Sequence, residues 1–395
     1  MIPVVIKMQI LTMLILLFIS LAHGQDRKIS SQRNPNCGNC TSGTLLYVRA
    51  DGSHDTVHQL WDFTHGSPTI IFIISGLNAT VNMTWDDKSP GKIWITEQPK
   101  YSFAIAIDKV YEYNDLQDNG YIDALSPRRE FSLDKAIWSQ EDILQTDEEV
   151  WLQMRTNYRQ DPKQGSMQIK LDLLPFKDYA VELPHLIHTA NSTLVDVSLV
   201  NFTQTRGYNV SRFALRLIMV GTDDGALSMN YTMRKSLDDE HTPGIFEIIE
   251  IRTPECARGG DGGFLQFRPV GYTQPQRGVA SSTMAHVSTF NKTQVPHDST
   301  LNALYRSFDK DKLLVQNMFI SFGESGDGYY KQHNFTSWSF TIGYGEPPKE
   351  SFSTFVITII SIGLGVPVLL ALSGVVYLLV RRYRRPGPTR LVEEQ

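Results

Sequence analysis

Nine of the sixteen asparagines in this 395-residue chain stand two places ahead of a Ser or Thr: Asn39, Asn78, Asn82, Asn191, Asn201, Asn209, Asn230, Asn291 and Asn334. The Asn-X-Ser/Thr triplet is the acceptor for N-glycosylation, and chance would place roughly two among that many asparagines, since Ser and Thr make up about one residue in seven of ordinary sequence. A glycan must be solvated, so each position is expected at the surface of a protein of the secretory pathway. Cysteine is the second chemical signal. The chain has three, Cys37, Cys40 and Cys256, an odd count for an oxidising compartment, so at most one internal disulfide can form. Cys37-Gly-Asn-Cys40 has redox-motif spacing but lies in a Pro/Asn/Gly-rich stretch without a βαβ pattern, so a structural disulfide of Cys37 with Cys40 is expected; pairing of Cys37 with Cys256 stays open.

Other constellations are weaker. His54 and His58 would ligate a metal only with a third ligand, and they are read as polar residues of a turn entering a strand. His185 and His188 would point to opposite faces of a strand, a poor metal geometry. Asp238-Asp239-Glu240-His241 is acidic enough for Ca²⁺ or for a general acid and base, against the plainer reading of a solvated loop before Pro243. Gly259-Gly260-Asp261-Gly262-Gly263 opens a strand and lacks a following Lys-Ser/Thr, so it is a turn and no phosphate cradle. Neither a Gly-x-Ser-x-Gly elbow, a Walker loop, a His-Glu-x-x-His nor an EF-hand loop occurs. No catalytic, cofactor-binding or metal-ligating residue is assigned.

These residues must be carried by something, and the two ends of the chain say what. Phe352 to Val380 contains no Asp, Glu, Lys, Arg or His, and a bilayer core is crossed by a helix of about 20 apolar residues. Arg381-Arg382-Tyr383-Arg384-Arg385 follows, which places residues 381–395 in the cytosol by the positive-inside rule. At the other end Lys7, the apolar stretch Met8 to Leu21 and the small-residue positions around Ala22-His23-Gly24 read as a signal peptide over residues 1–24. A type I, single-pass topology follows, and all nine sequons fall in the luminal part. That part carries 31 basic against 40 acidic residues, with no basic patch for nucleic acid. Nine of the ten histidines are luminal, and ordinary imidazoles would largely protonate near pH 5.

Between signal peptide and helix the chain reads as β throughout. Leu45–Val48, Thr69–Ile74, Phe103–Ile107, Val150–Met154 and Met167–Leu173 are β-branched or alternating runs, set apart by turns such as Asp118-Asn119-Gly120. Ser132 to Leu144 is the one helix expected, with a patchy apolar face of Leu133, Ile137 and Ile143. A second series runs through Leu194–Val200, Phe213–Val220, Leu227–Met233, Ile245–Ile251, Phe264–Val270, Leu314–Phe322 and Trp338–Tyr344. Such patterning predicts antiparallel β-sandwiches, and length favours two in tandem, residues 25–184 and 185–351, with a single large sandwich as the alternative. Asn201 shares parity with Val195, Val197 and Leu199, so a glycan there requires the strand to end or bulge before it.

Three long segments resemble one family. Ser236-Leu-Asp-Asp-Glu-His-Thr-Pro-Gly-Ile-Phe246, Gly263-Phe-Leu-Gln-Phe-Arg-Pro-Val-Gly-Tyr-Thr-Gln274 and Gly328-Tyr-Tyr-Lys-Gln-His-Asn-Phe-Thr-Ser-Trp338 are similar to the glycosylated lysosomal membrane proteins. The resemblance implies a non-enzymatic accessory subunit in the lysosomal membrane that retains a major-facilitator transporter and shields it from luminal proteases. Self-association as a homodimer stays open. Vertebrate members end in a Tyr-x-x-hydrophobic sorting signal; Tyr383-Arg-Arg-Pro386 departs from it, and the cysteines differ in number and placement. Two other classes, a cell-surface adhesion or receptor ectodomain and a membrane-tethered hydrolase using Asp238 to His241, are discriminated by location and by loss of activity on mutating Asp239 and His241.

Stepwise glycosidase digestion should collapse the apparent mass toward that of the bare chain, and protease added to sealed vesicles should remove only residues beyond Val380. Modification at fewer than half of the sequons would overturn the reading of a dense luminal coat.

Overall fold

The computed structural model describes residues 27–38, 43–123, 125–160, 163–236, 244–350 and 354–383. The signal-peptide segment, Asn39, Cys40, the Asp238 to His241 cluster and the tail from residue 384 lie outside them. The chain forms two compact units, Met1–Lys349 and Glu350–Gln395.

In the first unit every strand pairing is antiparallel, as the alternating patterns predict. One sheet runs Lys28–Arg33, Leu45–Asp51, Thr56–Asp62, Thr69–Ser75, Tyr101–Asn114, Ser211–Gly221 and Leu314–Phe322 in spatial order. The other runs Trp138–Gln145, Val150–Gln160, Lys163–Leu173, Ser192–Val200 and Phe335–Tyr344, then Gly263–Phe267, Glu247–Arg252 and Asn230–Lys235. Strand Ser282–Val287 pairs with Val270–Tyr272 of the second sheet and with Leu314–Phe322 of the first, tying the layers together.

Inward residues of both sheets make one core: Trp61, Phe72, Phe103 and Leu217 from the first, Leu152, Ile169, Val197, Trp338 and Phe340 from the second. Burying one such Leu, Ile or Phe side chain contributes about 1.5–3 kcal/mol. The first sheet is covered on its outer face as well. There Ile71, Ile73, Ala104, Ala106 and Ile218 pack with Val81, Met83 and Ile93 of the hairpin Val81–Asp86/Ser89–Ile95 and with Leu301, Leu304 and Tyr305 of the helix Thr300–Tyr305. A strand buried on both sides need not alternate, which is why Thr69–Ser75 reads Thr-Ile-Ile-Phe-Ile-Ile-Ser, with all seven residues buried.

Two expectations change. Residues 132–144 are not a helix: Arg128–Ser132 and Trp138–Gln145 are strands, the first paired with Tyr101–Asn114 and the second with Val150–Gln160. The apolar positions share no helical face, since Leu133 and Trp138 are buried while Ile137 is 86% exposed, and cross-strand pairing takes over from a weak local preference. Likewise no domain boundary falls near residue 185. Strand Lys163–Leu173 pairs with Ser192–Val200, and Tyr101–Asn114 with Ser211–Gly221, so both halves of the sequence enter both sheets.

The second unit contains the helix Thr354–Tyr383, which carries Pro367 and continues through Arg381 and Arg382, beyond the apolar run that ends at Val380. Its residues Val356–Tyr383 are long and apolar enough to cross a membrane once.

Because the strands interleave, a luminal fragment ending at Leu183 lacks the partners of Lys163–Leu173 and Tyr101–Asn114 and should show no cooperative thermal transition by circular dichroism. A cooperative melt of that fragment alone would restore the tandem-domain reading.

Candidate functional site

Eight of the nine sequon asparagines lie within the described residues. Asn78, Asn201, Asn209, Asn230, Asn291 and Asn334 are exposed, and Asn82 and Asn191 are half-buried. The conflict at Asn201 resolves as the strand parity requires: the strand stops at Val200, and Asn201 turns outward at φ 52°. Its N–H donates to the Asn334 carbonyl at 2.8 Å, and Lys331 donates to the Asn209 carbonyl at 2.9 Å, which gathers three sequons around the short helix Tyr329–His333. Asn191 sits at the opposite end of the same strand, where its Oδ1 accepts from Arg27 Nε at 2.5 Å.

Cys37, Cys256, His58, His188 and His286 are held away from reactivity. Cys37 is disulfide-bonded. Cys256 is free and buried; its thiol donates to the Gly345 carbonyl at 3.3 Å, and burial pushes it up to about 11, so it presents no thiolate at neutral pH. His54 is exposed in its turn, whereas His58 lies fully buried in strand Thr56–Asp62. Ser75 gives its hydroxyl proton to the Gly76 carbonyl, so His58 Nε2 donates to Ser75 Oγ at 2.8 Å and Nδ1 accepts from Tyr47 at 2.7 Å. Burial pushes His58 down to about 4, with Arg49 adding to the shift, so it stays neutral near pH 5. Burial also lowers His188 and His286, so acidification protonates fewer luminal histidines than their number suggests. The Gly259 to Gly263 run is a turn opening strand Gly263–Phe267, as read.

Two polar assemblies, one buried and one half-buried, escape sequence inspection. Arg212, its side chain 2% exposed, reaches Asp115 at 2.7 Å, Asp118 at 2.6 Å and both oxygens of Asp327 at 2.7 and 2.6 Å. It also donates to the Glu324 carbonyl at 2.9 Å and stacks on Tyr329 at 4.5 Å. Three carboxylates on one guanidinium pin the loop after Asn114 to the loop after Phe322. Arg277 is the second assembly. It holds both oxygens of Asp196 at 2.6 Å, Ser339 Oγ at 3.0 Å and the Leu183 carbonyl at 2.7 Å. That last bond fastens a strap, residues 174–188, across the second sheet. Within the strap Asp178–Tyr179 pairs with Ile187–His188, His188 donates to the Phe176 carbonyl at 3.1 Å, and His185 donates to the Val181 carbonyl at 3.0 Å.

Beneath the strap lies a cavity of about 420 Å³. Asp172 lines it, its Oδ1 buried without a hydrogen-bond partner and its Oδ2 3.8 Å from Lys170 Nζ. Burial pushes the Asp172 carboxyl up to about 6; Lys170 opposes the rise, and Glu149 and Glu182 add to it. On the other sheet Asp108 bulges out where its strand shifts register against Arg216 and Leu217. Burial raises Asp108 to about 6, although Arg216 stands 3.1 Å away. Among the described residues no group of three or more His, Cys, Asp or Glu side chains could hold a metal ion. His185 and His188 share the strap but hydrogen-bond to different carbonyls.

An antiparallel β-sandwich with asparagine acceptors around its surface, in a chain bearing one long apolar helix near its C-terminus, defines a single-span membrane glycoprotein. The sequence model of the family described as glycosylated lysosomal membrane protein matches residues 44–385, and the chain belongs to that family. It is 29% identical over 384 residues to glycosylated lysosomal membrane protein B of Xenopus laevis, covering 91% of this chain and 92% of that one. It is 27% identical over 357 residues to the Bos taurus protein (87% and 86%) and 25% identical over 356 residues to the Homo sapiens protein (85% and 84%). Membership places the protein in the lysosomal membrane, and the β-rich body ahead of one apolar helix agrees with a luminal bulk and a single span.

The pH dependence of stability follows from Asp172. A carboxyl raised in the folded state favours folding fully below its unfolded value near 4, and that contribution is lost as pH rises through about 6. Asp172→Asn should therefore raise stability at pH 7.5 by about 1–3 kcal/mol and change it little at pH 4, by thermal or denaturant melts at the two pH values. Equal effects at both would show that Asp172 ionises normally.

Proposed function

We propose that the protein is a non-enzymatic accessory subunit that stabilises, targets and shields a major-facilitator-superfamily transporter of the lysosomal membrane against luminal proteolysis. The observation that carries this reading is the placement of the sequons. Among the described residues they stand at turns, strand ends and the outer hairpin on different sides of the sandwich, and none of their asparagines is buried. Glycans at these positions would cover the body and whatever it lies against, as steric exclusion of proteases requires.

The membrane helix supports the reading in a second way. Ser361 with Gly365, and Ala371 with Gly374, put small side chains on neighbouring turns, which permits close approach of a partner helix. The tail sequence Tyr383-Arg-Arg-Pro386 does not fit a Tyr-x-x-hydrophobic signal, and on this reading the partner's own signals contribute to delivery.

The test is to remove this protein from cells and follow the abundance of the membrane proteins that co-purify with it in mild detergent, with and without lysosomal protease inhibitors. Shielding predicts loss of a multi-pass partner that the inhibitors reverse. Unchanged partner levels, or a loss that inhibitors cannot rescue, count against it.

A further inference from the structure

We propose that the cavity under the strap is a binding site for a small organic cation, an apolar body carrying one ammonium or quaternary nitrogen. The walls settle the body of the ligand. Leu194 of strand Ser192–Val200 forms the floor, its neighbour Val195 turning into the core, and Phe176, Ala180 and Leu186 come from the strap, lining an open-sided space of about 420 Å³. A space of that size and lining takes a molecule of roughly one aromatic ring and a short chain.

The polar groups settle its charge. Facing the space are Glu149 from the turn before strand Val150–Gln160, Asp172 and Lys170 from strand Lys163–Leu173, Asp178, Glu182 and His188 from the strap, and Asp196 from the floor strand. Arg277 matches Asp196, and burial disfavours the charged form of His188, so Lys170 is the lining cation set against the remaining four carboxylates. Lys170 is poorly placed to answer Asp172: its side chain is 39% exposed, lies over the Trp151 ring at 5.3 Å and stops 3.8 Å from the carboxylate. Asp172 Oδ1 is buried with no donor, and a buried acceptor left unpaired costs about 1–3 kcal/mol. An ammonium in the cavity supplies both the missing charge and an N–H donor for Oδ1, a quaternary nitrogen the charge alone, and Phe176, which lines the space, brings an aromatic ring of the kind that attracts such groups. An anion would meet carboxylates. A hard metal ion would need six or more oxygen ligands, which these apolar walls do not provide.

The test uses the full glycosylated chain in lipid nanodiscs, titrated calorimetrically with benzyltrimethylammonium, whose charge does not vary with pH, and in parallel with benzyl alcohol and phenylacetate. The cation should bind saturably and the other two should not. Asp172→Asn should weaken binding at least about tenfold, the scale of one charged contact. Ala180→Trp, which fills the space from the strap, should abolish it. Because Asp172 must be ionised to pair, affinity should fall about tenfold between pH 7 and pH 5. Both variants are melted first to establish that they fold. If Asp172→Asn unfolds the chain, Ala180→Trp and the pH series still decide. Equal binding of benzyl alcohol and the cation, undiminished binding to either folded variant, or no saturable binding of the cation would overturn the proposal.

Discussion

The antiparallel pairing of Tyr101–Asn114 with Ser211–Gly221, eleven residue pairs long, is the contact on which the other layers depend. On its far edge the first of these strands carries Thr69–Ser75, and through it the other N-terminal strands; the second carries Leu314–Phe322 and with it the bridge to the other sheet. Both strands are buried on both faces. Phe103 and Ile105 point into the core between the sheets, while Ala104 and Ala106 sit under the outer hairpin and the helix Thr300–Tyr305. Small residues on that outer side leave room for Leu301 and Tyr305, and the Tyr305 hydroxyl meets Ser102 Oγ at 2.8 Å. Joining strands about a hundred residues apart costs loop-closure entropy before any contact repays it, so this pairing needs both halves of the sequence.

Buried charge then determines how the ends of the sandwich are held. Arg212 can lie at 2% exposure only because three carboxylates and a backbone carbonyl answer its donors; an unanswered guanidinium there would cost several kcal/mol. The approach is close enough that Gly323, at φ 148°, admits no side chain: a Cβ would come within 2.5 Å of the guanidinium carbon. Arg277 does for the strap what Arg212 does for the loops, fixing the Leu183 carbonyl and Asp196 in one grip. In both places a single guanidinium replaces the hydrogen-bonding ladder that irregular backbone lacks.

The protein works in an acidic compartment, and its buried ionisable groups respond to that in opposite directions. His58, His188 and His286 are pressed toward neutrality and resist protonation, whereas Asp108 and Asp172 are pressed toward neutrality by accepting it. In each case burial opposes the charged form. Acidity shifts both carboxyls toward the uncharged form, which relieves part of their burial cost and, at Asp172, weakens the hold on a cation under the strap.

How much of this could be read in advance depends on how local the physics is. The membrane helix, the sequons and strands such as Met167 to Leu173 are legible because composition over twenty residues, a three-residue triplet and a two-residue period each act within a short segment. The strand end at Asn201 was legible too, since parity and solvation conflict within one strand. Residues 132–144 are not legible in this way, because their local preference is weak and their partners, Tyr101–Asn114 and Val150–Gln160, decide their form. The boundary near residue 185 failed for the same reason: nothing in the strap's own sequence says that strands on either side of it pair with each other. Local sequence suffices for the β-rich class, the single span and the positions of the Asn-X-Ser/Thr triplets. Only tertiary structure decided that Arg212 meets Asp115 from 97 residues away and Arg277 meets Asp196 from 81, and that Asp172 is left without a donor beneath the strap. Those outcomes depend on long-range closure and on the solvent it excludes, and neither leaves a mark on residue spacing.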